Sequence, residues 1–214
     1  MKFIDLMIFD FDGTLVNSGM DIAVSVDHTL EMLGIPQKGP DTIIRFIGDG
    51  VHELIKKSIG PDNEDRYHEA MEIFSSHYDE HMLDRTCLYH HVMEVLHHFQ
   101  EKKKVIITNK RECFTLKMVD ALGIMTYFDE IIGADSTPYR KPDPRLLYPV
   151  MEKYGATSDK TVVIGDGVND VLLARHTGVL SCALLNGLTQ RDILLSLHPD
   201  FFCDDISEVL HLFI

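Results

Sequence analysis

The sequence predicts an α/β fold: a doubly wound, mostly parallel sheet with an all-helical insert after the first strand. Three observations carry this reading. An apolar run at Leu6–Phe9 ends abruptly in Asp10-Phe11-Asp12-Gly13-Thr14. The stretch from Thr14 to Leu88 has helical periodicity and turns but no strand pattern. From Tyr89 onward, apolar segments of about five residues alternate with helical stretches of about ten, which describes a parallel sheet covered on both faces. Residues 1–15 and 85–214 are therefore assigned to the α/β core, and residues 16–84 to a helical cap.

The elements follow in order. Ser18 or Gly19 opens a helix whose stripe is Ile22, Val26, Leu30 and Leu33, closed by Gly34-Ile35-Pro36. A second helical piece covers Asp41 to Ile47, Gly48-Asp49-Gly50 interrupts it, and Val51 to Ile59 resumes. Gly60-Pro61 then leads into a long helix from Asn63 to Met82. In the second half, strands are expected at Lys104–Thr108, Glu130–Ala134, Thr161–Gly165, Leu180–Leu185 and Phe201–Cys203. The matching helices are His91–Gln100, Glu112–Leu122, Pro144–Tyr154, Val168–His176, Thr189–Ser196 and Ile206–Leu212.

Composition narrows the function. With 20 basic and 34 acidic residues the formal charge is −14, which repels polyanions and argues against nucleic acid or an anionic membrane as partner. No apolar run approaches the roughly 20 residues needed to span a bilayer. Met1-Lys2 runs straight into the first strand without a cleavable leader, so a cytoplasmic location is expected. The cysteines, Cys87, Cys113, Cys182 and Cys203, are scattered and suggest neither a disulfide framework nor a zinc knuckle. Among the 12 histidines, His77 and His81 and the doublets His90-His91 and His97-His98 read as helix-face residues rather than ligands.

In doubly wound sheets, ligands sit beyond the carboxyl ends of the strands. Four such ends carry chemistry here: Asp10-x-Asp12, Thr108-Asn109, the loop with Arg140-Lys141-Pro142, and Gly165-Asp166-Gly167-Val168-Asn169-Asp170. Singly, each has an ordinary structural explanation as a turn or helix start. In conjunction they suit phosphoryl transfer. Two carboxylates one residue apart call for a cation or a shared proton between them. Mg²⁺ fits, held by Asp10, Asp166 and a backbone carbonyl near Asp12. Asp10 can attack phosphorus or ligate the cation, and Asp12 suits acid and base work. Thr108 and Lys141, with Gly13 and Asn109 beside them, can meet phosphoryl oxygens. Asp170 can reach the metal through water or orient Lys141.

These four motifs resemble those of the haloacid dehalogenase superfamily of phosphohydrolases, and the resemblance covers essentially the whole chain. It implies a Rossmann-like core with a helical cap, Mg²⁺ as cofactor, Asp10 as nucleophile and Asp12 as general acid/base. Within the superfamily, the chain resembles phosphoglycolate phosphatases through Phe46-Ile47-Gly48-Asp49-Gly50-Val51, Asp84-Arg85-Thr86 to Leu88-Tyr89, and Ser207-Glu208-Val209-Leu210. It departs from them at Asn17, His90-His91 and Asn186-Gly187-Leu188. The expected partner is a small phosphorylated metabolite. A sugar phosphomutase, an inorganic pyrophosphatase and a non-catalytic phosphate-binding protein are the alternatives, and the sequence does not choose between monomer and homodimer. Arg45, Asp49 and His52, around the glycine break of the cap, are the expected specificity residues, with Arg45 placed to pair with a substrate carboxylate.

Overall fold

In the computed structural model, which describes residues 1–214, the strands are β1 (Leu6–Phe9), β2 (Val16–Asn17), β3 (Cys87–Leu88), β4 (Lys103–Ile107), β5 (Glu130–Ile132), β6 (Thr161–Gly165), β7 (Leu180–Leu184) and β8 (Phe201–Cys203). Six of them form one sheet in the order β5-β4-β1-β6-β7-β8, parallel throughout. β1 is buried at every position. Strand parity divides its side chains between the two faces. Met7 and Phe9 join one apolar cluster with Ile106, Val162 and Ile164, while Leu6 and Ile8 join another with Val105, Ile107 and Val163. Such continuous apolar strands are stable only where helices cover both faces.

The helices are α1 (Gly19–Met32), α2 (Pro40–Ile44), α3 (Val51–Ile59), α4 (Tyr67–His81), α5 (Val92–His98), α6 (Glu112–Ala121), α7 (Tyr148–Tyr154), α8 (Val168–Thr177), α9 (Arg191–Ser196) and α10 (Val209–Leu212). The cluster beneath α7 and α8 contains Leu146, Leu147, Val150, Leu173 and Ala174. On the opposite face a larger cluster runs without a break from Phe9 and Ile106 to Val26 and Leu30 of α1, Ile55 of α3, and Phe74 and Tyr78 of α4. No helix is long and apolar enough to cross a membrane.

Three sequence expectations are corrected. The stretch from Thr14 to Leu88 is not free of strand, because β2 and β3 pair antiparallel where the chain leaves and re-enters the region of the large sheet. The long helix starts at Tyr67, not Asn63. Pro61–Arg66 forms 3-10 turns in which Asn63 has non-helical angles. The helix expected over Pro144–Tyr154 is divided at Leu147 into a 3-10 turn and α7. Beside the ribbon, the buried Asp21 of α1 accepts from the backbone N–H of Arg85 (2.9 Å) and from both the N–H and hydroxyl of Thr86 (2.8 Å each). One carboxylate oxygen thereby fixes the returning strand to the first helix.

Candidate active site

The chain runs from β1 outward to β4 and β5, then returns to β6 on the other side of β1. This reversal brings the carboxyl ends of β1, β4 and β6 together and opens a crevice there. Asp10, Thr108 and Asp166 follow those three strands directly.

Carboxylate oxygens of Asp10, Asp166 and Asp170 lie within 4.8 Å of one another. Lys141 enters the group from the β5–α7 connection, its Nζ 2.7 Å from Asp10 Oδ1 and 2.7 Å from Asp170 Oδ1. Asp10 Oδ1 also accepts from the N–H of Phe11 at 2.7 Å. Asp166 is bound on both oxygens, by the Thr14 hydroxyl at 2.8 Å and the Leu188 N–H at 2.7 Å. Asp170 accepts from the N–H of Gly167, the residue capping α8, at 2.9 Å. Space around Asp166 is reserved by glycines. A Cβ at Gly13, where φ is +84°, would stand 2.1 Å from Asp166 Oδ2, and one at Gly187 would stand 2.2 Å from its Cβ.

One lysine does not balance three clustered carboxylates, two of them buried and Asp10 half-buried. Burial, followed by Asp170, pushes the Asp10 carboxyl up to about 7 against the pull of Lys141. Burial and then Asp10 push Asp166 up to about 7. Asp170 is raised by burial. The Lys141 ammonium is held well above its ordinary value by Asp10 and Asp170 in spite of its own burial. Protonation or a further cation is what relieves such a set. An all-oxygen donor group of carboxylates is the kind a hard divalent cation such as Mg²⁺ accepts.

The side chain of Asp12 turns away from this group. Its two oxygens each lie 3.2 Å from the Nζ of Lys110, and the Ser18 hydroxyl donates to Oδ1. The Asp12 carboxylate is thus not among the clustered oxygens but is paired with Lys110. Lys110 in turn donates to the hydroxyl of Tyr78 at 2.6 Å. Sequence reasoning missed both residues. Lys110 directly follows Thr108-Asn109, but a loop lysine ordinarily reads as solvated. Tyr78 falls four residues after Phe74, which reads as an ordinary apolar helix face.

A cavity bounded by Asp10, Asp12, Thr108, Asn109, Lys110 and Arg111 on the sheet side is roofed by Ile47, Gly48, Gly50, Val51, Leu54, Phe74 and Tyr78. Thr108 is buried, its hydroxyl accepting from the N–H of Lys110 at 3.1 Å. Asn109 ties three loops together. Its amide donates to Gly48 O (3.0 Å) and Lys141 O (3.2 Å), and its oxygen accepts from the Lys141 N–H (3.0 Å). The side chains expected to set specificity lie elsewhere. Arg45 is exposed on a separate groove with Asp49, Asn169 and Gln190. Asp49 accepts from Lys57 (2.8 Å) and Asn169 (3.0 Å), and His52 bonds the Tyr67 hydroxyl. Around the glycine break it is Ile47, Gly48, Gly50 and Val51 that line the cavity; Arg45, Asp49 and His52 do not, and Arg111 is the arginine that does.

The sequence profile of the haloacid dehalogenase-like hydrolases matches residues 7–184. The chain belongs to that family. As a haloacid dehalogenase-like hydrolase it is similar to the phosphoglycolate phosphatase of Vibrio parahaemolyticus, with 30% identity covering 97% of this chain and 95% of the relative. It is 33% identical to that of Pseudomonas fluorescens over 96% of this chain and 78% of the relative. Among solved structures, this hydrolase superposes on a protein described as a predicted phosphoglycolate phosphatase from Haemophilus somnus with a TM-score of 0.93. The identity is 28%, over 98% of this chain and 97% of the other. A haloacid dehalogenase-like hydrolase from Streptococcus pneumoniae gives a TM-score of 0.88 at 27% identity, covering 98% of each chain.

Proposed function

We propose that the protein is a Mg²⁺-dependent phosphomonoesterase of a small phosphorylated metabolite, working through an aspartyl-phosphate on Asp10, with residues 16–84 as a cap over the site. The observation that carries this reading is the division of labour between two neighbouring carboxylates. Asp10 sits with Asp166, Asp170 and Lys141, whereas Asp12 has its own partners, Lys110 and Ser18. Asp10, Asp166 and Asp170 would hold Mg²⁺, with the backbone carbonyl at Asp12 completing the protein's share. Bound there, the ion would neutralise clustered charge and withdraw electron density from the phosphoryl oxygens.

Lys141 has three donors, of which Asp10 and Asp170 take two, so one N–H remains for a phosphoryl oxygen. The hydroxyl of Thr108 and the backbone beside Gly13 and Asn109 would meet the remaining phosphoryl oxygens. In the first step an Asp10 oxygen bonds to phosphorus, the ester P–O bond breaks, and Asp12 gives its proton to the departing alkoxide. In the second, Asp12 takes a proton from water whose oxygen attacks phosphorus, freeing Asp10 and inorganic phosphate. Phosphoglycolate heads the candidate substrates because the relatives bear that name. Arg111, the guanidinium lining the cavity, would then meet its carboxylate.

The test is phosphate release from phosphoglycolate, sugar phosphates, nucleotides and pyrophosphate, with Mg²⁺ or EDTA, for the wild type and Asp10→Asn. The expected result is turnover that needs Mg²⁺ and Asp10. Turnover surviving EDTA or Asp10→Asn overturns the mechanism, and isomerised sugar phosphate without released phosphate overturns the hydrolase in favour of a mutase.

A further inference from the structure

Tyr78 belongs to α4, on the cap side, and has no evident duty in the chemistry, yet its hydroxyl is buried against the innermost charges of the cavity. It accepts from Lys110 at 2.6 Å, and its own hydrogen points toward Met118 Sδ at 3.9 Å. Its ring stacks on Phe74 (centroids 5.4 Å) and meets Phe114 of α6 edge-on (5.3 Å), so it is held from both sides.

The donor count at Lys110 shows what this does. An ammonium has three N–H groups. Both Asp12 oxygens, at an equal 3.2 Å, hold the ammonium on one side, and Tyr78 accepts from it at 2.6 Å on another. Tyr78 therefore occupies an N–H of Lys110 that a phosphoryl oxygen would otherwise take. The Lys110 side chain is 7% exposed and that of Asp12 12%, so water offers little competition for these bonds. Without the tyrosine hydroxyl, that N–H would seek another acceptor, and the nearest new one on substrate binding would be the phosphoryl group itself. The lysine would then be drawn off Asp12.

We infer that Tyr78, acting through Lys110, is a positioning residue for the proton-transfer step: it holds the lysine so that the lysine orients Asp12 instead of binding phosphate. The inference rests on the reading of Asp12 as general acid. It also ties that acid to the cap, since Tyr78 reaches Lys110 only from α4.

A device that aims a general acid matters most where the leaving group is poor. Phenyl phosphate and 4-nitrophenyl phosphate are close in shape, but nitrophenolate departs with little protonation. The experiment measures kcat/KM for both esters with the wild type, Tyr78→Phe, Lys110→Met and Asp12→Asn. General acid catalysis contributes about 10²- to 10⁴-fold, so misaiming it in Tyr78→Phe is expected to cost about tenfold or more on phenyl phosphate and less than about threefold on the nitrophenyl ester. Lys110→Met is expected to show the same skew, which keeps the test open if one variant folds poorly. Equal losses on both esters in Tyr78→Phe and Lys110→Met, with a skewed Asp12→Asn, overturn the inference and make the lysine a phosphate ligand or a packing element. An unskewed Asp12→Asn instead overturns the acid assignment on which the inference rests.

Discussion

Asp10→Asn is expected to stabilise the metal-free protein even as it abolishes turnover. The asparagine keeps an Oδ1 for the Phe11 N–H and for Lys141, so it loses neither hydrogen bond, while one of three clustered charges is removed. In the folded protein the Asp10 carboxyl is pushed up from 3.8 to about 7, first by burial and then by Asp170. The sign follows from that direction. Because the folded form holds its proton more tightly than the unfolded chain, stability is greatest at low pH, falls as pH rises from about 3.8 to about 7, and is level above. At pH 8 the full cost of ionising Asp10 is present, about 4 kcal/mol at 1.36 kcal/mol per tenfold. For a chain of this length each kcal/mol moves the midpoint by roughly 2–4 °C, so the asparagine variant is expected to melt on the order of 10 °C higher. The assay is thermal denaturation in EDTA between pH 5 and 8, repeated with Mg²⁺. Wild type should lose stability with rising pH, Asp10→Asn less so, and Mg²⁺ should help wild type more than the variant. An Asp10→Asn protein no more stable than wild type at pH 8 in EDTA, with the same pH slope, would refute the reasoning.

Gly13→Ala combines a positive φ, which costs a residue with a Cβ roughly 1–2 kcal/mol, with a contact 2.1 Å from Asp166 Oδ2. Displacing that carboxylate is expected to weaken Mg²⁺ binding about 10- to 100-fold by calorimetric titration, and unchanged affinity would count against Asp166 as a ligand. Asp21→Ala leaves two backbone N–H groups and the Thr86 hydroxyl without their acceptor. At roughly 1–3 kcal/mol per orphaned buried donor, a loss of at least about 2 kcal/mol is expected in urea denaturation, with Asp21→Asn partly restoring it.

What the sequence revealed follows the length over which a pattern repeats. Thr161–Gly165 and Phe201–Cys203 were legible to the residue, because apolar strands between helical segments leave few alternatives. β2 and β3 were not, since two residues carry no period. At the site, Asp10, Thr108 and Asp166 follow strand ends directly and were expected at one mouth for that reason, whereas Lys141 reaches the carboxylates from a loop. The partners of Asp12 were not, because Lys110 and Tyr78 are separated by the whole of α5 and β4 and meet only through folding. Arg45 lies on a groove beside the cavity, not in it. Charge beside a glycine break suggested a recognition loop, whereas the turn shows its backbone to the cavity and its charges to other surface groups.

The unbroken apolar cluster that reaches from Phe9 to Tyr78 has a thermodynamic meaning. Phe74 and Ile55 belong to the same continuous apolar cluster as Ile106 and Val162, so these residues are expected to lose their cover in one transition. Calorimetry would then record one cooperative transition rather than two, and the roof over the carboxylates would be as durable as the sheet beneath it. Access to the cavity would accordingly depend on small shifts of the turn at Gly48–Gly50, where the chain contributes little to that interior, more than on a swing of the helices as a whole.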